Sequence, residues 1–383
     1  MPENVRENIN STVRTLSADE ADEGNCMDWN GREEERYSLS SDGEEEEDEE
    51  ETYSSDEEPS SDDVDDDDDA VSEVLSTMSL SESITDYVYE NGRRYHSYPL
   101  ACYAFPNDEQ EQDRLDLMHH LWNLALGGEL FLSPIDKSNA ERILDVGTGT
   151  GIWAIDTADL LPKTTVIGND LSPIQPVYVP PNLHFVIDDC EEEWPFPDNH
   201  FDLIHIRNLS GAVRDWKKLY AQAFRTLKPG GWIELKDHSR PFDCDDGSFT
   251  SDNILQKWVN DFDKASDMAG VTWIMAEQFK EDLPDAGFKQ VTERSFKVPL
   301  GTWAEAEGDN MKEMGIFLRE VLLVGAQGLT LAMFTRMLGW DKKEVDVLVA
   351  NIRQAVQDPS INVYTKFFVT YAQKPLTTPQ PAT

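Results

Sequence analysis

The run Ile143-Leu144-Asp145-Val146-Gly147-Thr148-Gly149-Thr150-Gly151 constrains this chain more than any other stretch. An apolar block that breaks into three alternating glycines reads as a buried strand turning into a helix near Ile152. Glycine is needed where such a turn requires positive φ, and where a Cβ would hold a nucleotide-like ligand off the backbone. The spacing narrows the ligand. A dinucleotide fingerprint, G-x-G-x-x-G, would place its third glycine at position 152, which is Ile, whereas here the third is Gly151. Asp145 at the strand end is a poor neighbour for a diphosphate and a good one for an ammonium group.

Short β-rich runs at Arg142–Val146, Thr165–Asn169, Leu183–Ile187, Phe201–Ile206 and Gly231–Leu235 alternate with helical stretches, which predicts a parallel sheet with helices on both faces. Two more β-rich stretches, 288–298 and 363–371, flank a helical insertion from Trp303 to Val356. Upstream, Leu115, Met118, His119, Trp122 and Leu126 recur at three and four residues, so an amphipathic helix precedes the sheet. Its acidic start, Asp108–Asp116, is expected to be a solvated face. The second strand ends at Asp170-Leu171, where a carboxylate can accept both hydroxyls of a ribose, and the third at Asp188-Asp189-Cys190, facing an adenine edge. Together with Gly147, Thr148, Gly149 and Gly151, these strand ends favour S-adenosylmethionine over NAD as cofactor, with Asp145 toward its ammonium group and Arg207 neutralising carboxylates or binding cofactor.

The glycine loop, the acidic ends of the second and third strands, Phe201-Asp202 and Leu227-Lys228-Pro229-Gly230-Gly231 together resemble class I S-adenosylmethionine-dependent methyltransferases over residues 140–240. The flanks look like a narrower group, the fungal LaeA-like or TAM-domain methyltransferases. Glu90-Asn91-Gly92-Arg93-Arg94-Tyr95-His96, the run from Pro106 to Leu115, Asp170-Leu171-Ser172-Pro173-Ile174-Gln175-Pro176, Arg207-Asn208-Leu209-Ser210-Gly211 and Leu338-Gly339-Trp340 carry that likeness. It implies an α/β, Rossmann-like seven-stranded sheet whose last strand is antiparallel, with a helical N-terminal extension and a helical insertion before that strand. It also implies methyl transfer in fungal secondary metabolism, onto a small molecule or, alternatively, a nuclear regulatory role exercised through protein partners.

Methyl transfer from a sulfonium is an in-line displacement with a neutral leaving group, so it rests on positioning and needs a base only when the acceptor must lose a proton. Ligands collect at the C-terminal ends of strands in such sheets, which selects His205, Arg207 and Asn208 after the fourth strand and Glu234, Asp237 and His238 after the fifth. His238 and His205 are the candidate bases, His205 with the rival reading of a core histidine because its strand is apolar. Tyr95 and His96 are candidates for a lid, and Tyr103 and Phe105 for an aromatic wall against the sulfonium; ordinary packing is the alternative.

The first 92 residues carry 33 acidic side chains against four arginines, leaving −15 of the formal −44 to the rest. Residues 1–83 are therefore expected to be a disordered acidic tail, with a role in solubility or in docking protein partners. Residues 84–375 form the methyltransferase domain, and 376–383 a flexible end. An acidic body with no basic stripe disfavours nucleic acid. Four cysteines far apart, with no Cys-x-x-Cys pair, predict no metal site. The start lacks a secretory apolar region, and Gly315–Phe334 is too interrupted by charge and glycine to span a membrane, so a cytoplasmic or nuclear location is expected.

Overall fold

The computed structural model describes residues 87–96, 103–239, 242–273 and 276–376. The acidic tail expected over 1–83 and the end from residue 377 lie outside the described residues.

Five parallel strands form one half of the main sheet: β3 (Arg142–Val146), β4 (Thr165–Asp170), β5 (Leu183–Ile187), β6 (Phe201–Arg207) and β7 (Leu227–His238). The last strand, β10 (Val363–Gln373), runs antiparallel to β7, to β9 (Lys289–Pro299) and to the two-residue β8 (Asp243–Cys244). The order is β5-β4-β3-β6-β7-β10, with β8 and β9 both on β10. The expected seven strands are present, and β8 is added to them. Leu144, Val146, Ile167, Ile204, Ile206, Ile233 and Leu235 are all fully or nearly fully buried, as strands covered on both faces require. The chain reverses direction across the sheet at β3, with β4 on one side and β6 on the other, and this switch opens a crevice at the strands' C-terminal ends.

Strand β7 starts at Leu227, four residues before the β-rich run that begins at Gly231, and takes in Lys228-Pro229-Gly230: its pairing with β6 shifts register between Phe201 and Leu203, and Gly230 takes φ +84°. A hairpin of β1 (Val88–Glu90) and β2 (Arg93–Tyr95) turns through Asn91 and Gly92, both at positive φ, the usual tight-hairpin chemistry.

Helix α1 (Glu109–Ala125) begins where the Asp108 carboxylate accepts the Glu111 N–H. Then follow α2 (Ile152–Leu160), α3 (Trp216–Thr226), α4 (Ile254–Ala269), α5 (Phe279–Asp285), α6 (Asp309–Ala332) and α7 (Lys342–Val356). Helix α6 packs between α1 and α7. By length and composition alone Asn310–Met337 is apolar enough to cross a membrane, contrary to the expectation from its charges, but 56% of its most apolar window is buried within the fold, as in a core helix.

That packing overturns the reading of Asp108–Asp116 as a solvated face. Glu111 is 2% exposed and Arg114 9%. Arg93 grips Asp108 through Nε and Nη2, and Arg114 donates twice to Glu111. The cause is α6, whose Gly325 and Gly328 lie against these side chains: a Cβ on Gly325 would overlap the Arg114 side chain, and one on Gly328 would press on Arg93 and Glu111.

Candidate active site

Two cavities meet at the crevice. The first is lined by the glycine loop from Gly147 to Thr150, by Asp170 and Leu171, by Asp188, Asp189 and Cys190, and by Arg207. All of the sequence-predicted cofactor residues line it except Asp145 and Gly151. Gly151 ends the loop as the residue before α2, with φ +79°. A Cβ on Gly151 would overlap the Phe185 ring, and one on Gly147 the Leu209 side chain.

Asp170 is held in place by two backbone donors, the Gly149 N–H on Oδ2 at 2.8 Å and the Ser172 N–H on Oδ1 at 2.9 Å. Burial pushes its carboxyl up to about 6. Asp188 is likewise raised by burial to about 6, and its Oδ2 is buried without a hydrogen-bond partner among the described residues. Burial also raises the Cys190 thiol, with the carboxylates around it adding to the effect. Such a thiol stays protonated and is a poor nucleophile.

Asp145 does not face the cavity as expected. Its two oxygens are taken by Thr148 Oγ1 at 2.6 Å and His205 Nδ1 at 2.7 Å. The residue is 3% exposed, and burial pushes its carboxyl up to about 7. It therefore ties the glycine loop to β6 and is not among the residues that line the cavity. His205, the second candidate base, is a core residue: fully buried, lining neither cavity and stacked on Trp153 at 3.6 Å between ring centroids. Burial holds its pKa well below the ordinary histidine value, with Lys236 and Arg207 opposing a further positive charge.

Arg207 points into the first cavity from the end of β6. Its Nη1 donates to His119 Nδ1 at 3.0 Å, so that nitrogen accepts and the Nε2 proton of His119 goes to Asp156 Oδ2, also at 3.0 Å. Burial lowers the guanidinium to about 10, opposed by Asp145, Asp156 and Asp116, and pushes His119 down to about 4. His119 faces the core while its neighbour His120 packs on Phe317, as two adjacent helical positions must differ.

The second cavity shares Tyr103, Leu115, Met118 and Asn208 with the first. Its remaining walls are mostly aromatic and aliphatic, chiefly Phe105, Trp258, Phe262 and Trp273, with Arg114, Ser210, His238 and Thr365 as polar exceptions. His238 Nδ1 donates to the Ser239 carbonyl at 3.0 Å, which leaves the Nε2 lone pair open, 3.9 Å from Asp237 Oδ1. Asp237 is 1% exposed and accepts the Ser210 and His238 N–H groups, and Asn208 Oδ1 accepts from Trp122 Nε1. Glu234 is fully buried, accepting from the Leu132 and Ser133 N–H groups and pairing with Lys236 at 3.0 Å. Of the residues selected after the fifth strand, only His238 reaches a cavity.

Tyr95 and His96 are buried behind the site and line neither cavity; His96 Nε2 bonds the Tyr103 carbonyl. Tyr103 itself stands where the cavities join, and Phe105 lines the second. Sequence reasoning missed Trp258, Phe262 and Trp273, which belong to no motif, and Arg114, which lies in the run from Pro106 to Leu115 but reads in the sequence as part of a solvated face.

A family model described as "Methyltransferase domain" matches residues 117–293. Methyltransferase pytC of Aspergillus terreus is 40% identical over 302 residues, 78% of this chain and 92% of that protein. The secondary metabolism regulator LAE1 of Cochliobolus heterostrophus is 36% identical over 291 residues, 75% of this chain and 94% of the relative. A protein-methionine methyltransferase, laeA of Emericella nidulans, is 33% identical over 290 residues, 75% of this chain and 76% of the relative. With this fold, a cavity at its glycine loop and relatives matched along most of their length, the chain belongs to the LaeA-like family of class I S-adenosylmethionine-dependent methyltransferases.

Proposed function

We propose that the first cavity binds S-adenosylmethionine and the second a small-molecule acceptor, and that the protein methylates a hydroxyl of a secondary metabolite in the cytoplasm or nucleus. One observation carries this reading: a cavity lined by the glycine loop, Asp170, Asp188, Asp189 and Arg207 adjoins an aromatic one that holds an open imidazole nitrogen. The chain's own residues fit the cofactor. Its glycines leave a cradle that a Cβ at Gly147 or Gly151 would disturb, and Asp188 Oδ2 is a buried acceptor in want of a donor.

In this assignment Asp170 accepts from the ribose hydroxyls, the Asp188-Asp189-Cys190 segment meets the adenine edge, and Arg207, steadied by His119 and Asp156, pairs with the amino-acid carboxylate. The bound cofactor supplies an electrophilic methyl group. Tyr103, Leu115, Met118 and Asn208 align the acceptor at the join, and His238 Nε2 takes the proton of its hydroxyl.

The test is calorimetry with S-adenosylhomocysteine, followed by incubation with labelled S-adenosylmethionine and extracts of fungal strains with and without the gene. Saturable binding and label in a metabolite are expected; their absence overturns the proposal. His238→Gln should lower kcat about 10²- to 10⁴-fold, with S-adenosylhomocysteine affinity unchanged. A rate within twofold of wild type would remove the base from the mechanism.

Cofactor affinity should depend on pH in a definite sense. Burial raises Asp170 and Asp188 to about 6 in the free protein, so both are ionised above that value and protonated below it. Ribose and adenine donors favour the ionised forms. Affinity should therefore level off above pH 7 and fall by about tenfold per carboxylate for each unit below 6. A flat calorimetric profile from pH 7.5 to 5 would show that these carboxylates do not meet the ligand.

A second reading, in which the partner is a protein, is favoured by Val177 and Tyr178, 90% and 96% exposed in the loop after β4. In that case the labelled product would be recovered in the protein fraction of the same extracts, with the acidic tail as the expected docking arm.

A further inference from the structure

We infer that Arg114 selects the acceptor by holding a neutral carbonyl oxygen on an otherwise apolar, ring-bearing molecule. This rests on the reading of the second cavity as the acceptor site. Arg114 is a guanidinium set among aromatic and aliphatic walls. Its Nε and Nη2 both donate to Glu111 Oε1, at 2.9 and 2.7 Å, and Nη1 has no hydrogen-bond partner among the described residues. A nitrogen of this kind, on a residue that lines an apolar cavity, is a donor in want of an acceptor.

Packing alone does not account for the pair. A buried Arg–Glu pair seldom stabilises a fold relative to apolar side chains of the same volume. Yet α6 makes room for this one by carrying glycine at position 325, where a Cβ would overlap the Arg114 side chain.

The charge balance decides what the free N–H can take. Glu111 neutralises Arg114, and Arg93 neutralises Asp108 through two hydrogen bonds, so the cluster of four is already electrically even. A carboxylate on the acceptor would bring an unmatched negative charge into an apolar cavity beside Glu111. A ketone, ester or amide oxygen accepts the same hydrogen bond without adding charge. Phe105, Trp258, Phe262 and Trp273 supply flat apolar area for a ring system, and His238 receives the hydroxyl in the same cavity.

The experiment is calorimetry on the full chain saturated with S-adenosylhomocysteine, using 2-naphthol, 6-acetyl-2-naphthol and 6-hydroxy-2-naphthoate as probes. The ketone should bind about tenfold more tightly than the parent naphthol, in line with one hydrogen bond from a charged donor, and at least about tenfold more tightly than the carboxylate. The ketone's advantage should vanish in the Arg114→Met/Glu111→Gln double variant, which removes both charges together. Arg114→Lys, which keeps the charge and loses the planar fork, should lose most of it and serves if the double variant no longer binds S-adenosylhomocysteine. Equal affinity for ketone and parent naphthol, tighter binding of the carboxylate, or a preference that survives in the variants overturns the inference and leaves the acceptor cavity standing. Failure of every probe to bind, with S-adenosylhomocysteine still bound, removes the acceptor reading and this inference with it.

Discussion

Replacing Gly151 with valine should abolish measurable binding of S-adenosylhomocysteine, a loss of more than about hundredfold. Gly151 precedes α2 with φ +79°, a conformation that strains a β-branched residue by about 1–3 kcal/mol. The larger effect is steric. The new Cβ would overlap the Phe185 ring, and that ring has no room to retreat because it already lies under Gly168, where a Cβ would sit 2.9 Å from it. The loop must therefore swing into the cavity it lines, moving Gly149 off Asp170 and displacing a contact assigned to the ribose. Gly149→Ala offers a graded comparison. Its φ is +60°, but its Cβ would meet only Leu115, at an ordinary 3.4 Å, so a smaller loss is expected. Calorimetry on both variants, with circular dichroism to confirm the fold, checks the ordering. Wild-type affinity in Gly151→Val would sink the assignment of this cavity to the cofactor.

Lys236→Met should be the most destabilising single change near the site that removes no atom from either cavity wall. Lys236 and Glu234 are 2% and 0% exposed and pair at 3.0 Å toward the C-terminal end of β7. Lys236 also donates to the Leu130 carbonyl, and Glu234 accepts the N–H groups of Leu132 and Ser133, so the pair clamps the segment after α1 to the sheet. Without the ammonium, a buried carboxylate keeps two backbone donors and loses its counter-charge, which costs about 3–5 kcal/mol. At about 2–4 °C per kcal/mol, the melting temperature should fall by about 10 °C. Adding Glu234→Gln should restore much of the loss, because the amide oxygen still accepts a hydrogen bond and carries no charge. Thermal melts of the single and double variants test this; a single variant that melts with the wild type would show that the pair does not bear on stability.

What could be read from the chain before its structure follows a physical divide. The glycine loop, Asp170 and Asp188-Asp189-Cys190 are legible because their meaning lies in local spacing: a strand end, a turn and a helix start within a few residues of one another. The strands and the helical insertion are legible from apolar periodicity for the same reason. Asp145 and His205 are not, because only the parallel register of β3 and β6 brings them side by side, and one sequence does not reveal strand pairing. Arg114 and Glu111 look like a wet helical face until α6, two hundred residues later, is laid over them. The β1–β2 hairpin is a different kind of miss. Its Asn91-Gly92 turn signal stands in the sequence, flanked by strands of only three residues, too short to show alternation.

The placement of β10 also bears on how the protein is made. Three strands depend on it as their neighbour, yet it is translated after all of them. While a ribosome is still synthesising α6 and α7, the outer edge of β7 has its backbone groups unpaired, and β9 has no partner on that side. The nascent domain thus passes through an interval with an open sheet edge, when chaperone protection matters most, and closure awaits the emergence of residues 363–373 from the exit tunnel.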